Sequence, residues 1–369
     1  MTNPSDTIRA GIIGCGKIAC GKHIPGLKKA GIEIVAYCDI DIEQARLAMS
    51  IAKDYGHNID NAKIYTNYKE LLEDKSIDIV HVLTPNRMHC QISVDALEAG
   101  KHVMCEKPMA ITGAEAVKMT ETARRTGKIL TIGFQDRFSA PHMYLKYAAD
   151  NGVFGDIYMA ETYAMRRAVP NWGVFLDEKE QGGGPLIDIA PHAIDATLWI
   201  MNNYKPKYCV GNTYHKLNDL PPDMQGNGDW GIWDPERFKV EDTALGFVTM
   251  ENGATIMVYS TWVLNRRHFP PFSCNLYGTK AGSDRFSKRD PLRFNGARNG
   301  ELYVDEIDLS AGSEALLAAN PTGETWYSNW ADAIKNNKDA LVKPEEACVV
   351  TQIIEGIYTS AKTGDIYRF

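Results

Sequence analysis

Asp188 and His192 stand four residues apart, just after the run Gly182-Gly183-Gly184-Pro185. On a helix that spacing places both side chains on one face, a turn apart. A histidine beside a carboxylate can serve as a general base; the same pair is also what a capping aspartate and a satisfied buried histidine look like. The residue types would suit a metal too, but no third or fourth ligand stands nearby at helical or hairpin spacing, and no metal is expected. Lys107, in Glu106-Lys107-Pro108, directly follows an apolar run at residues 103–105. A lysine so placed can hydrogen-bond a hydroxyl and help move its proton. Pro108 suits a tight turn, cis included, that would aim it. Thr84-Pro85-Asn86, with His89 close behind, ends another apolar run; taken alone it is a good turn sequence.

Gly14-Cys15-Gly16-Lys17-Ile18-Ala19 follows the first apolar run. Gly14 would make a tight turn, Gly16 would let the backbone approach a pyrophosphate, and Ala19 would let a helix pack on the strand. The anion would then lie on the first amides of that helix, at Lys17 and Ile18. Asp39 ends the second apolar run, about 20–25 residues on, where an acidic side chain accepts hydrogen bonds from an adenosine ribose. No arginine is adjacent to hold a 2′-phosphate, which favours NAD over NADP; the plainer reading of Asp39 is a turn residue.

The elements that must position these residues come in two textures. Within residues 1–133, short apolar runs at 8–13, 34–37, 79–83, 103–105 and 129–132, with a shorter one at 63–65, alternate with helical patterns at 45–52, 90–99 and 114–125. That alternation predicts a parallel sheet covered on both faces. Ligands bind beyond the carboxyl ends of such strands, so the Thr84 and Lys107 turns point at a cofactor crevice. After Gly133 the runs are longer and partly alternating, at 158–165, 244–250, 254–262, 272–277 and 302–309, with Glu251-Asn252-Gly253 as a hairpin signal. This half reads as an α+β domain on a mainly antiparallel open sheet. Helices are expected over 184–201, with Ile187, Ile194, Leu198 and Trp199 as the apolar face, and over 326–335 and 345–361. The predicted division is a dinucleotide-binding domain at 1–133 and a substrate-binding, oligomerising domain at 134–369. A polar stretch at 215–239 carries Trp230 and Trp233; a loop that long is usually functional or disordered.

The 369 residues suit two domains. With 44% hydrophobic and 24% charged residues, a disordered chain is excluded. Forty basic against 47 acidic side chains, net −7, argue against nucleic acid or an anionic membrane as partner. No apolar run approaches the roughly 20 residues of a membrane helix, and the first residues lack the pattern of a secretory signal. Eight scattered cysteines without a C-x-x-C pair fit free thiols in a reducing cytoplasm.

Taken in order, the G-C-G-K-I-A turn, T-P-N, E-K-P and G-G-G-P-L-I-D-x-x-x-H resemble the glucose–fructose oxidoreductase / inositol dehydrogenase (Gfo/Idh/MocA) family. Gly133-Phe134-Gln135-Asp136-Arg137-Phe138 is similar to that family's G-F-N-x-R-F junction, and Pro170-Asn171-Trp172 to its proline–tryptophan loop near the nicotinamide. Gln135 stands in place of the usual Asn, and Pro191 precedes His192 where a small residue is commoner; Pro191 is expected to kink the helix and shift His192. The resemblance implies an N-terminal Rossmann domain, an α+β partner domain, and NAD-dependent oxidation of a secondary hydroxyl of a sugar, inositol or related polyol. By motif, Lys107, Asp188 and His192 would be catalytic. His192 would be the base, Lys107 would steady the oxygen's developing charge, and Asp188 would orient the histidine or bind a neighbouring hydroxyl. Gly14, Gly16, Lys17, Ile18, Asp39, Thr84, Pro85, Asn86, His89, Glu106 and Trp172 would hold the cofactor, and Gln135, Tyr163 and Arg166 would join the catalytic residues on the substrate. Trp230 and Trp233 would line the sugar, or else anchor their loop. The leaning is to C3 of a pyranoside. The alternatives are an inositol or polyol dehydrogenase, an NAD-dependent glycosidase working by oxidation, elimination and reduction, and a non-catalytic cofactor-binding regulator. An open sheet face predicts a homodimer or homotetramer.

Overall fold

The computed structural model describes residues 7–226, 230–266, 273–285 and 290–369. The expected run at 272–277 and the polar stretch at 215–239 therefore lie partly outside the described residues. The chain divides into two compact units, Met1–Gly133 with Thr325–Cys348, and Phe134–Glu324 with Val349–Phe369.

The first unit is built on six strands: β1 (Arg9–Ile13), β2 (Glu33–Cys38), β3 (Lys63–Tyr65), β4 (Ile79–Val82), β5 (His102–Cys105) and β6 (Leu130–Ile132). Their order is β3-β2-β1-β4-β5-β6, with all pairs parallel. β4 and β6 are buried at every residue, as strands covered on both faces must be. The helices between them start where short polar side chains can cap them. Asp41 accepts from the Glu43 amide ahead of Ile42–Asp54, and Thr112 and Glu115 form a capping box on Gly113–Thr126. The strand order turns back beside β1, so the turns after β1, β2, β4, β5 and β6 all leave the same, carboxyl, edge of the sheet.

Residues 325–348 pack with this unit, which corrects the expectation that 134–369 form one domain. The cause is the apolar face of helix Trp326–Lys335. Trp326 sets an edge against His23 at 5.3 Å, and Trp330 against His81 at 6.5 Å. Both tryptophans are buried.

The second unit holds β7 (Ile157–Met165), β8 (Pro206–Tyr214), β9 (Thr243–Met250), β10 (Thr255–Thr261), β11 (Ser273–Gly278), β12 (Ala281–Asp284), β13 (Leu292–Arg298), β14 (Glu301–Ile307) and β15 (Tyr367–Arg368). The order is β14-β13-β12-β11-β7-β10-β9-β8-β15. Only β7 and β10 run parallel; the other neighbours are antiparallel. Ala160, Thr162, Ala164, Val248, Ile256 and Val258 are buried on one face. Helix Ala190–Met201 lies on that face, where the Thr162 and Thr197 hydroxyls bond at 2.8 Å. So does the helix carrying Ile357, against which a Cβ at Gly211 or Gly246 would come to 2.6 or 2.5 Å. The alternate residues, among them Val210, Leu245, Phe247, Tyr163 and Tyr259, form the opposite face and are half-buried or exposed.

Helix Ala190–Met201 is tied to the start of the unit by charge. Arg137 Nε and Nη2 bond the two Asp195 carboxylate oxygens at 2.8 and 2.5 Å, and neither side chain has any exposed surface. A pair this deep is costly to break, because the survivor is a buried, uncompensated charge.

Candidate functional site

The first group of expected residues gathers at the carboxyl edge of the parallel sheet. Gly14 turns with φ +92°, and a Cβ there would lie 2.6 Å from the Leu83 carbonyl oxygen, so only glycine closes this turn. A Cβ at Gly16 would meet nothing within 4 Å, which leaves the backbone there open to a ligand. The chain then enters a helical stretch with one wide turn at Ala19–His23 before Ile24–Lys29. Asp39 is more than a turn residue: Oδ2 accepts from the Cys15 amide at 2.8 Å and Oδ1 from the Asp41 amide at 3.0 Å. It thereby pins the glycine turn to the end of β2.

Past β4, the Thr84 hydroxyl oxygen is buried with no hydrogen-bond partner among the described residues. A glycine turn that no Cβ would fit, an open glycine backbone, a pinned acidic residue and an orphaned hydroxyl along one sheet edge fit a dinucleotide. Asn86 is buried and Pro85 exposed. His89 is not available to a cofactor. Its ring nitrogens lie 2.9 Å from the Thr84 carbonyl oxygen and 2.7 Å from that of Pro108, and it is 1% exposed. It fills the space between the two turns, its one ring N–H donating to one of the two carbonyls. Burial lowers its pKa, and the two carbonyls oppose that shift.

Past β5, the Lys107–Pro108 peptide is cis. Glu106 is buried and engaged at both oxygens: Oε2 accepts from the Lys107 amide at 3.0 Å, and Oε1 lies 3.0 Å from His23 Nε2. Behind it, His23 Nδ1 lies 3.1 Å from His81 Nδ1. Burial alone would push the Glu106 carboxyl up. The His23 hydrogen bond and the charges of His23, Lys22 and Lys107 outweigh it and hold the group at about 2. Glu106 is thus committed to its neighbours as an anion.

In the second unit, the single helix expected over 184–201 is two. Pro185–Asp188 ends, Ile189 departs to φ −110°, and Ala190–Met201 begins with Pro191 in its first turn. Proline has no amide proton to continue the first helix, so the chain restarts rather than kinks. Asp188 and His192 thus stand on successive helices joined through Ile189, which keeps right-handed helical angles (ψ −28°). The Asp188 Oδ2 accepts from Arg166 Nη2 at 3.1 Å and from Trp262 Nε1 at 3.2 Å. The Arg166 guanidinium also lies over Trp230, 4.5 Å from its centroid, and 5.9 Å from that of Trp262. Burial lowers the Arg166 pKa against the pull of Asp188. Trp172 meets Trp230 edge-on at 4.8 Å. His192 is buried, with the Phe134 ring edge-on at 6.5 Å. Gln135 opens the turn Gln135–Phe138, and its Oε1 is buried without a partner among the described residues.

Two expectations part company here. Trp233 is a loop anchor: it is buried, and its indole N–H donates to the Asn218 carbonyl at 2.8 Å. Tyr163 is not beside Asp188. It points from the opposite face of β7 and stacks on Tyr259 at 5.3 Å, because side chains alternate along a strand and Thr162 takes the helix side.

The sequence did not single out what fixes these turns. Glu241 caps the glycine loop from a distance, accepting from the Gly184 amide at 2.7 Å, the Leu186 amide at 3.1 Å and the Tyr358 hydroxyl at 2.8 Å. Burial pushes its carboxyl up to about 7 against those three hydrogen bonds. His23 and His81 likewise lie far from Lys107 in sequence; only the position of His23, shortly after the glycine turn, hinted at it.

Residues 8–134 match the model of the oxidoreductase family with an NAD-binding Rossmann fold, and residues 142–283 match the GFO/IDH/MocA C-terminal domain. The D-glucoside 3-dehydrogenase of Escherichia coli K12 is 32% identical over 363 residues, 98% of this chain and 97% of that one. The inositol 2-dehydrogenase of Salmonella typhimurium is 31% identical over 204 residues, 54% of this chain and 56% of its own. The aldose-aldose oxidoreductase of Caulobacter crescentus, solved with glycerol, shares the fold at a TM-score of 0.76 and 21% identity, over 98% of this chain and 100% of that one. Levoglucosan dehydrogenase, solved with NADH and levoglucosan, does so at 0.76 and 19%, over 98% and 99%. With family models covering both halves and a relative matching nearly end to end, the chain belongs to the Gfo/Idh/MocA family of NAD-binding oxidoreductases.

Proposed function

We propose that this protein oxidises the C3 hydroxyl of a pyranoside to a ketone with NAD. The observation that carries this reading is the end-to-end similarity to a D-glucoside 3-dehydrogenase, with Lys107, Asp188 and His192 all present. NAD, when bound, supplies the hydride acceptor. His192 takes the proton of the reacting hydroxyl, and Lys107 donates a hydrogen bond to the same oxygen as its negative charge develops. Asp188, itself held by Arg166 and Trp262, binds a neighbouring hydroxyl or orients the base. Trp172 and Trp230 offer aromatic surface to the C–H face of a sugar. The eight free cysteines, seven of them buried, suit a reducing cytoplasm.

The half-exposed sheet face supports assembly as a homodimer or homotetramer. The register lines up Val210, Phe247 and Met257 in one row and Leu245, Tyr259 and Tyr163 in the next. Unpartnered, those rows would leave a continuous apolar patch in water.

Three outcomes are expected. Lys107→Ala and His192→Ala should each lower turnover on methyl β-D-glucopyranoside by about 10² to 10⁴-fold while NAD affinity stays as in wild type. The double variant should lose less than the product of the two, since both act on one oxygen. A His192→Ala enzyme that keeps more than about a third of wild-type turnover would make the histidine structural. By calorimetry, NAD should bind at least about tenfold tighter than NADP, on the order of 1.4 kcal/mol, and Asp39→Ala should narrow the gap; equal affinities in the wild type would refute the role given to Asp39. Light scattering at micromolar concentration should give a multiple of 41.0 kDa, and a monomeric mass would reject the sheet-face assembly.

A further inference from the structure

A side chain can be aimed no better than its backbone is held, and the backbone at Lys107 is held from both sides by buried histidines. On the amide side stands Glu106. Its Oε2 accepts from the Lys107 N–H at 3.0 Å, and its Oε1 lies 3.0 Å from His23 Nε2. His23 is fully buried and cannot drift: His81 meets its other nitrogen at 3.1 Å, and the Trp326 ring meets its plane edge-on at 5.3 Å. On the carbonyl side stands His89, whose ring lies 2.7 Å from the Pro108 oxygen and 2.9 Å from that of Thr84. Gly133 closes the arrangement. A Cβ there would come to 2.9 Å from Glu106 Oε2 and 3.1 Å from the Lys107 nitrogen, so the end of β6 admits no side chain against this link.

We infer that His23 and His89 are positioning residues for Lys107, His23 acting through the Glu106 carboxylate and His89 through the Pro108 carbonyl. The inference rests on the reading that Lys107 acts on the substrate oxygen. The chemistry explains why histidine stands at both places. Glu106 is a buried anion, and a neighbouring ring N–H both stabilises it by a hydrogen bond and fixes its rotation, so that the second oxygen stays on the Lys107 amide. His89 fills the space between two turns that are remote in sequence, its single ring N–H donating to one carbonyl while the other end of the ring braces the second turn. Misplacing a reacting group by about 1 Å can cost on the order of 10²-fold in rate, so a looser Lys107 should show in turnover before it shows in binding.

The test is a double-mutant cycle with NAD and methyl β-D-glucopyranoside. His23→Leu should lower kcat by about 10- to 100-fold, with NAD affinity and KM within about threefold of wild type. His23→Gln, whose amide N–H can still donate to Glu106, should recover most of that loss. In a Lys107→Ala background His23→Leu should change kcat by less than about twofold, because its effect runs through the lysine. His89→Leu should lower kcat likewise, and that loss should also disappear in the Lys107→Ala background. Should His23→Leu fail to fold, Gly133→Ala presses on the same Glu106–Lys107 link from the other side and should reproduce the loss of kcat and its disappearance without Lys107. Loss of the same size with and without Lys107, or wild-type turnover in His23→Leu, would overturn the inference. A Lys107→Ala enzyme with wild-type turnover would instead overturn the proposed function.

Discussion

Glu106 is a carboxylate with almost no access to water, and the parallel-sheet unit is arranged around keeping it charged. An ion stripped of water costs several kcal/mol unless hydrogen bonds and opposite charge replace the lost solvent. Here the Lys107 amide and the His23 ring do so, with Lys22 and Lys107 nearby. Much else follows from that need. The helix after β1 must bring His23 to the end of β5, which it does through its wide turn at Ala19–His23. Trp326 and Trp330 must seal the histidines, which is why residues 325–348 pack with this unit. Gly133 must stay bare. The outcome is a lysine at a sheet edge whose backbone has little freedom.

The second unit solves a similar problem with arginine. Asp188 accepts from Arg166 and the Trp262 indole, and Asp195, one helix further on, accepts from Arg137. Between them Pro191 interrupts the helix. Glu241 fixes the glycine loop that leads in. The sequence spends two aspartates, two arginines and a break on holding one short segment in place, which is reasonable where that segment carries His192.

The parts of this arrangement legible in the sequence were those with local signatures. Apolar runs of fixed length gave the six parallel strands, and the glycine spacing gave the turn after β1. The cis Lys107–Pro108 peptide was an expectation that the structure bears out. The readings that failed needed tertiary information. Asp188 and His192 are four apart, and nothing in the local pattern says that Ile189 will separate two helices between them. Tyr163 and Thr162 are neighbours in sequence, yet only the strand register decides which of them faces the helix. Trp230 and Trp233 looked alike; one became a loop anchor and the other an aromatic partner of Arg166. Residues 325–348 gave a helix by pattern, but nothing local says which unit its tryptophans will cover. Glu241, His23 and His81 carry no motif of their own, because what they do is defined by partners remote in sequence: Glu241 lies 57, 55 and 117 residues from Gly184, Leu186 and Tyr358.

The destination of one hydrogen decides the chemistry. Methyl β-D-glucopyranoside carrying deuterium only at C3, incubated with enzyme and NAD, should transfer that deuterium to the nicotinamide, and mass spectrometry should find it in the reduced cofactor together with a 3-keto product. Reduced cofactor without deuterium would place the oxidation at another carbon. Free glucose released without accumulation of reduced cofactor would contradict the dehydrogenase account altogether.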